Sequence, residues 1–201
     1  MSTNIPAELV KKLRDATGAG MMECKAALQE ANGDLEAATT ILRKRGLASA
    51  AKKTGRTTSE GLIGAYIHLG GKIGVLVELN CESDFVARTD DFQNLLKEIA
   101  LQVAAANPTY VRRDDIPAEI LDRERSIYRA QMENSGKPPQ VLEKIIEGKL
   151  GSFYEQVCLV DQPSIRDPKT TVSQLLQATI AKLGENIGVA RFVRFKVGET
   201  N

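Results

Sequence analysis

The chain has 201 residues, of which 42% are hydrophobic and 26% charged, enough for one ordinary globular domain and a smaller one. Its 27 Lys and Arg residues and 26 Asp and Glu residues give a net charge of +1, which provides no overall field to attract nucleic acid or a membrane surface. No run approaches the roughly 18 apolar residues of a transmembrane helix, and no signal peptide is visible, so we expect a cytoplasmic location.

The N-terminal part, residues 1–54, predicts a small helical module followed by a basic linker. Apolar side chains recur at helical spacing in three successive stretches. The predicted start and stop residues are Pro6 and Gly18 for the first helix, Asn32-Gly33 for the second, and Asp34 and Gly46 for the third. The basic stretch from Arg43 to Arg56 then predicts a helical extension that fades into the linker. A bundle this small buries little core, which favours a docking module over a catalytic one.

Residues 55–201 predict a second region of mixed structure. The aliphatic runs at 61–69 and 72–80 are joined by Gly70-Gly71, which predicts a β-hairpin. Apolar residues at helical spacing predict helices with the following members: Phe92 to Val103, Leu121 to Met132, Val141 to Ile146, and Val172 to Leu183. The final run VARFVRFKV predicts a C-terminal strand. The predicted fold class is α+β, with a small three-helix bundle followed by a core domain in which an antiparallel sheet packs with helices.

Metal and redox chemistry find little support in the sequence. Cys24, Cys81 and Cys158 are far apart and show no CxxC spacing, so neither a disulfide framework nor a zinc site is indicated, and a reducing compartment fits. His68 is the only histidine, which excludes a His-rich metal cluster and restricts a catalytic triad to that residue. We expect it to be a partly buried or edge side chain of the first hairpin strand. No metal or cofactor is predicted.

A cluster of acidic residues follows the second predicted strand. Glu82 and Asp84 are a candidate acid and base pair, which would require a deep pocket around them. Asp90 and Asp91 are expected to stabilise the N-terminus of the following helix through its dipole. Phe85 stands directly after Asp84, where a buried strand should instead end in a solvated polar turn. This aromatic side chain therefore needs a function of its own.

Three long stretches of the sequence resemble one known family. TGAGMMECKAALQEANGDLEAA at 17–38 and ELNCESDFVAR at 78–88 are similar to the two motifs of the elongation factor Ts family, and KLGENIGVARFVRF at 182–195 is similar to its C-terminal segment. The resemblance spans nearly the whole chain. Ser83 stands where the family usually has threonine, and serine keeps the hydroxyl. One copy of the hairpin segment is present, as in the short form of the family.

The resemblance implies a guanine nucleotide exchange factor for elongation factor Tu, with no active site of its own and no cofactor. It implies an N-terminal module similar to ubiquitin-associated domains, which docks on the GTPase domain. It also implies a loop that is inserted beside the magnesium site of the partner, made of Ser83, Asp84, Phe85 and Val86. Further contacts with the partner are expected at Met22, Lys25, His68, Leu183 and Gly184. We expect the Met21-Met22 pair to contribute to both the core and the contact surface.

Alternatives from other function classes remain open on the residues themselves. One is an enzyme that uses the carboxylates of Glu82 and Asp84, against which a protruding Phe85 would count. The other is a helix-binding or ubiquitin-type adaptor built on residues 1–46, for which the acidic and aromatic pair would be irrelevant. No direct contact with nucleic acid or a membrane is expected in any of these cases.

The single hairpin copy favours a homodimer, because a two-fold pair would restore the second half-site that long forms carry in one chain. Apolar residues occupy both faces of the first hairpin strand. The members of one face are Ile63, Ala65, Ile67 and Leu69, and those of the other are Leu62 and Tyr66. One face packs on helices and the other needs a partner. The alternative is a monomer in which helices within residues 118–150 cover the second face.

Overall fold

The computed structural model describes residues 5–132 and 138–199. It divides into two compact units made of interleaved segments, the first comprising residues 1–62, 80–95 and 174–188, and the second comprising residues 63–79, 96–173 and 189–201. The division into domains 1–54 and 55–201 stays a prediction. Parts of both domains, residues 1–4, 133–137 and 200–201, lie outside the described part of the chain.

The first unit begins with three helices: α1 Ala7–Thr17, α2 Met21–Glu30 and α3 Leu35–Lys53. Gly18 ends α1 with a φ of 68°, and its N–H donates to the carbonyl of Arg14. Asp34 caps α3 by accepting the N–H groups of Glu36 and Ala37. The helices share a small core of Ile5, Val10, Leu13, Cys24, Ala27, Leu28, Ala38 and Leu42. The predicted starts and stops of this bundle are confirmed, with one exception.

The exception is the end of the third helix, which continues beyond Gly46 to Lys53. A glycine inside a helix costs about 1 kcal/mol relative to alanine, which is too little to terminate a helix that gains burial further on. Ala50 lies in the next turn and is buried. A Cβ at Gly46 would lie 3.2 Å from the Cβ of Ala181, so this glycine allows close packing. The prediction that the helix ends at Gly46 is therefore wrong, whereas the helical extension predicted for the basic stretch from Arg43 is confirmed as far as Lys53.

The sheet has three antiparallel strands in the order β1-β2-β3: β1 Glu60–Ile67, β2 Ile73–Cys81 and β3 Ile187–Lys196. The N–H of His68 donates to the carbonyl of Ile73 at 2.9 Å, and the N–H of Gly71 donates to the carbonyl of His68. Gly70 and Gly71 both have positive φ, which the turn requires and which glycine adopts without strain. The predicted hairpin and C-terminal strand are confirmed.

The remaining helices of the described residues are α4 Asp84–Ala87, α5 Asp90–Ala106, α6 Ala118–Met132, α7 Pro139–Val157 and α8 Val172–Leu183. Two short 3-10 turns lie at Arg113–Asp115 and Leu159–Asp161. The apolar stripe of α5 is buried as predicted, with members Phe92, Leu95, Leu96, Ile99 and Val103. The α+β fold class is confirmed, and α4 is the helix that the sequence did not predict.

One face of the hairpin, in the second unit, packs on α5. A Cβ at Gly64 would lie 2.6 Å from Cγ of Leu96, so this strand approaches the helix closely. The opposite face is open. We call it the exposed sheet face and define it by five apolar residues: Ile63, Ile67, Leu69, Leu76 and Phe195. Ile67 is 67% exposed and Leu69 is 91% exposed, so within the described residues α6 and α7 do not cover this face, contrary to the monomer alternative.

Candidate functional site

The candidate site lies where β2 ends and the chain enters the four-residue helix α4. Ser83 is the N-cap of this helix, with an extended backbone, and its hydroxyl oxygen accepts the N–H of Val86 at 3.5 Å. Asp84 and Phe85 therefore form the first turn of a helix, and the prediction that they lie in a loop is wrong. No periodic pattern indicates this helix, because one helical turn is shorter than any repeat of apolar positions.

The one-turn helix holds Phe85 out into solvent. The side chain of Phe85 is 78% exposed, whereas its neighbours Val86 and Ala87 are buried. The two buried residues anchor the later part of the turn to the unit. The carboxylate of Asp84 accepts a hydrogen bond from Arg88 at 2.7 Å, and both groups are accessible to solvent. The site therefore presents an aromatic ring and an acid together on a supported turn.

The segment before α4 is hydrogen-bonded to the turn between α8 and β3. The backbone N–H of Ser83 donates to Oε2 of Glu185 at 2.9 Å, and the Ser83 hydroxyl donates to Oε1 of the same carboxylate at 2.6 Å. The backbone N–H of Asn186 in turn donates to Oε1 of Glu82 at 2.6 Å. Glu82 also forms an ion pair with Arg56 at 3.5 Å. Glu82 thus has structural partners, which argues against its use as a catalytic acid or base.

Leu183 and Gly184 lie at the end of α8, directly before this turn. Leu183 is half-buried and Gly184 is exposed. The φ of Gly184 is +83°, and its N–H donates to the carbonyl of Ile180, which ends the helix. The hydrogen bonds of Ser83 to Glu185 bring this turn beside the segment that leads into Asp84 and Phe85. Glu185 and Asn186 make the contacts, and no local pattern in the sequence points to a pairing across 102 residues.

Met22 and Lys25 lie on α2, one turn apart, and both are exposed. Met22 is 75% exposed and Met21 is 55% exposed, so the expectation that this pair contributes to the core is wrong. The buried positions of α2 are instead Cys24, Ala27 and Leu28. The face that carries Met22 and Lys25 is available to a partner.

His68 belongs to the second unit and lies in the hairpin turn, one residue after the end of β1. We expected a partly buried or an edge side chain of the first hairpin strand: His68 is exposed, so the first alternative is wrong, and it lies one residue beyond the end of the edge strand β1. Its Nδ1 lies 2.9 Å from the hydroxyl of Tyr66, and the two rings are tilted with centroids 6.0 Å apart. The contact with Tyr66 orients the imidazole beside the hairpin turn.

The cysteines offer no reactive thiol. All three are free and buried, and burial raises the pKa of Cys158 to about 11 and also raises the pKa of Cys81. A thiol in this state is protonated near neutral pH and is a poor nucleophile. Residues 5–132 and 138–199 contain no cluster of His, Cys, Asp or Glu arranged to hold a metal ion. No helix in these ranges is long and apolar enough to cross a bilayer.

The fold and the site define an α+β protein that presents an acid and an exposed aromatic ring together on a short helical turn. The model of the family described as Elongation factor TS matches residues 7–199. An elongation factor Ts of Carboxydothermus hydrogenoformans is 58% identical over 195 residues, which cover 97% of this chain and 90% of that protein.

Two further relatives are named elongation factor Ts. The protein of Thermoanaerobacter sp. strain X514 is 60% identical, with 97% of this chain and 96% of that protein covered. The protein of Thermosipho melanesiensis is 58% identical, with 97% and 100% covered. The chain belongs to the elongation factor Ts family, as its motifs indicated. Nucleotide exchange on elongation factor Tu is the known role of this family.

Proposed function

We propose that this chain promotes the release of GDP from elongation factor Tu by inserting Asp84 and Phe85 beside the magnesium site of the GTPase. The single observation that carries the proposal is the ring of Phe85, which is 78% exposed on a turn anchored by buried Val86 and Ala87. The family match covers residues 7–199, which favours this function over an adaptor confined to residues 1–46. The chain acts as a binding partner and carries out no reaction of its own.

Such an insertion would weaken the binding of the nucleotide to the GTPase. A GTPase holds its nucleotide through backbone amides around the phosphates and through Mg²⁺, which bridges the phosphate oxygens. A ring that displaces the supports of the metal leaves phosphate charge uncompensated, so GDP dissociates faster. Burying the ring of Phe85 contributes about 1.5–3 kcal/mol, and each tenfold gain in release rate takes about 1.4 kcal/mol.

Asp84 adds polar contacts to this insertion. Its side chain is about half exposed and accepts a hydrogen bond from Arg88, and a carboxylate has further lone pairs for donors of the partner. The turn thus offers an apolar wedge and a hydrogen-bond acceptor side by side. Reciprocity then requires that bound GDP or GTP weaken the binding of the factor by the same ratio, which allows it to dissociate and act again.

The N-terminal helices are proposed to dock on the GTPase domain. Met22 and Lys25 provide an adaptable apolar side chain and a positive charge on the same face of α2. Docking through a separate surface raises the local concentration of the α4 turn beside its target. Leu183 and Gly184 are proposed to contact the nucleotide side of the partner, because their turn is bonded to the segment that precedes α4.

We further propose that the chain acts as a homodimer. The exposed sheet face carries large apolar side chains that a single chain leaves in water, and a second copy would bury both faces at once. His68, next to Leu69 in the hairpin turn, would then lie near the contact. Each protomer would present its own α4 turn to one GTPase, which gives a complex of two factors and two GTPases.

The test is the release of a fluorescent GDP analogue from elongation factor Tu, with and without this chain, in the presence of excess unlabelled GDP. We expect the release rate to rise with the concentration of the factor and then to saturate. A release rate that is the same with and without saturating factor would contradict the proposed function.

A further inference from the structure

We propose that Glu185 is a positioning residue of the exchange site, acting on the direction of Phe85 through the N-cap Ser83. The inference rests on the proposed function, because it concerns how the α4 turn is held ready for insertion. Glu185 is half-buried and does not form part of α4. Its effect would therefore be indirect, through the two hydrogen bonds that it accepts from Ser83.

The geometry is that of one carboxylate accepting two donors from one residue. Oε2 accepts the backbone N–H of Ser83 at 2.9 Å and Oε1 accepts its hydroxyl at 2.6 Å. The second distance is in the range of a hydrogen bond to an ionised acceptor, which is stronger than a neutral one. Two bonds fix both the backbone and the χ1 angle of Ser83. The Ser83 oxygen is then directed to the N–H of Val86, which begins the helix.

A helix as short as α4 depends on such a support. Four residues provide almost no cooperative helix stability, and the first N–H groups of a helix have no partner within it. The buried side chains of Val86 and Ala87 fix the later part of the turn. The earlier part, which carries Asp84 and Phe85, is fixed by Ser83 and hence by Glu185.

Glu185 is itself held in place by its neighbours in the chain. Gly184 has a φ of +83°, which allows the chain to leave α8 sharply, and the N–H of Asn186 donates to Glu82 at 2.6 Å. The side-chain amide of Asn186 donates to the carbonyl of Arg56 at 2.9 Å. The turn is thus bonded on both sides of Glu185. A carboxylate fixed in this way is suited to hold a second segment in one orientation.

The test compares Glu185→Ala, Glu185→Gln and Ser83→Ala with Glu98→Ala in the GDP release assay. Glu98 is a matched control, since its carboxylate also accepts a hydrogen bond, from Arg166 at 2.8 Å, and it takes no part in the proposed site. We expect Glu185→Ala to lower the saturating release rate about tenfold and to leave the half-saturating concentration unchanged. Glu185→Gln keeps one acceptor, so it should lose less, and Ser83→Ala should behave like Glu185→Ala.

A second readout separates positioning from general loss of structure. Amide hydrogen exchange in the free protein should become faster at residues 83–87 in Glu185→Ala and stay unchanged in α1 to α3. General unfolding would instead raise the half-saturating concentration and expose amides throughout. In the Phe85→Ala background, Glu185→Ala should have almost no further effect on the release rate, because its effect passes through that ring.

The outcomes distinguish this inference from the function on which it rests. If Phe85→Ala slows release and Glu185→Ala leaves the saturating rate unchanged, the positioning role is wrong and the proposed insertion stands. If Glu185→Ala slows release equally with and without Phe85, Glu185 acts by another route and the inference is wrong. If neither variant alters the rate, both the insertion and the positioning role are refuted.

Discussion

Removing the aromatic ring at Phe85 should separate exchange activity from stability. In the free protein the ring is 78% exposed, so Phe85→Ala removes little buried surface. Substitutions at exposed positions usually change the free energy of unfolding by less than about 0.5 kcal/mol, which for a chain of this size is a shift of about 1–2 °C in the thermal midpoint. The folded state of the variant should therefore be almost normal.

Exchange should suffer far more than folding does. If the ring becomes fully buried in the complex that releases GDP, its loss costs about 1.5–3 kcal/mol. If the transition state for GDP release loses this stabilisation, the release rate falls about tenfold to 150-fold. Val86 and Ala87 still anchor the turn, so the loss reports on the ring and not on the position of the backbone.

The assay is the release of fluorescent GDP from elongation factor Tu over a range of factor concentrations, together with a thermal melt of the free factor. Ile127→Ala is a matched control, because Ile127 is an exposed apolar residue on α6, in the second unit. It should leave both measurements unchanged. A collapsed midpoint with a normal release rate for the folded fraction would show that Phe85 is a core residue and would refute the insertion.

Three further expectations follow from the same structure. Chelation of Mg²⁺ should shrink the advantage of the factor over spontaneous release, since GDP then already dissociates quickly; an unchanged advantage would place the action elsewhere on the nucleotide. Ile67→Asp places a charge on the exposed sheet face, so sedimentation equilibrium should show a mass near 21.9 kDa for the variant and twice that for the parent; a parent that already sediments as a single chain would refute the dimer. The pKa of Cys158 is raised to about 11 by burial, so the thiol should contribute stability below about pH 9 that is lost as the pH rises toward 11. Urea unfolding of Cys158→Ala should show a smaller decrease over that range than the parent, and an equal decrease would contradict the assignment.

Much of the fold follows from patterns that span a whole element. The apolar stripe from Phe92 to Val103 repeats over several turns, so α5 was predictable from periodicity alone. Gly70-Gly71 between two aliphatic runs determined the hairpin in the same way. These signals are local in the sequence: the apolar stripe shows which face of the helix is buried, and the two glycines show where the chain reverses.

The missed features depend on contacts that the local sequence does not record. Gly46 is a residue type typical of helix ends, yet burial of Ala50 and packing on Ala181 extend the helix beyond it. Met21 fits the same apolar stripe as Cys24 and Leu28, but it is the first residue of α2 and stays exposed, whereas Cys24 and Leu28 are buried. The family motifs identified Asp84 and Phe85, and no local pattern points to the carboxylate of Glu185, which is 102 residues away from Ser83 in sequence and bonded to it.

The bond between Ser83 and Glu185 also affects when the site can form during synthesis. Its two ends are 102 residues apart, so the ribosome completes the hairpin, α4 and α5 well before it adds Glu185. Until then the N-cap of α4 lacks its carboxylate acceptor, and long-range contacts of this kind form late because the intervening chain must first be ordered. In a nascent chain, the α4 turn therefore cannot be held by Glu185 until α8 and the residues after it have been synthesised. The N-terminal helices are local in sequence and can fold earlier, so docking competence should precede exchange competence in the growing chain.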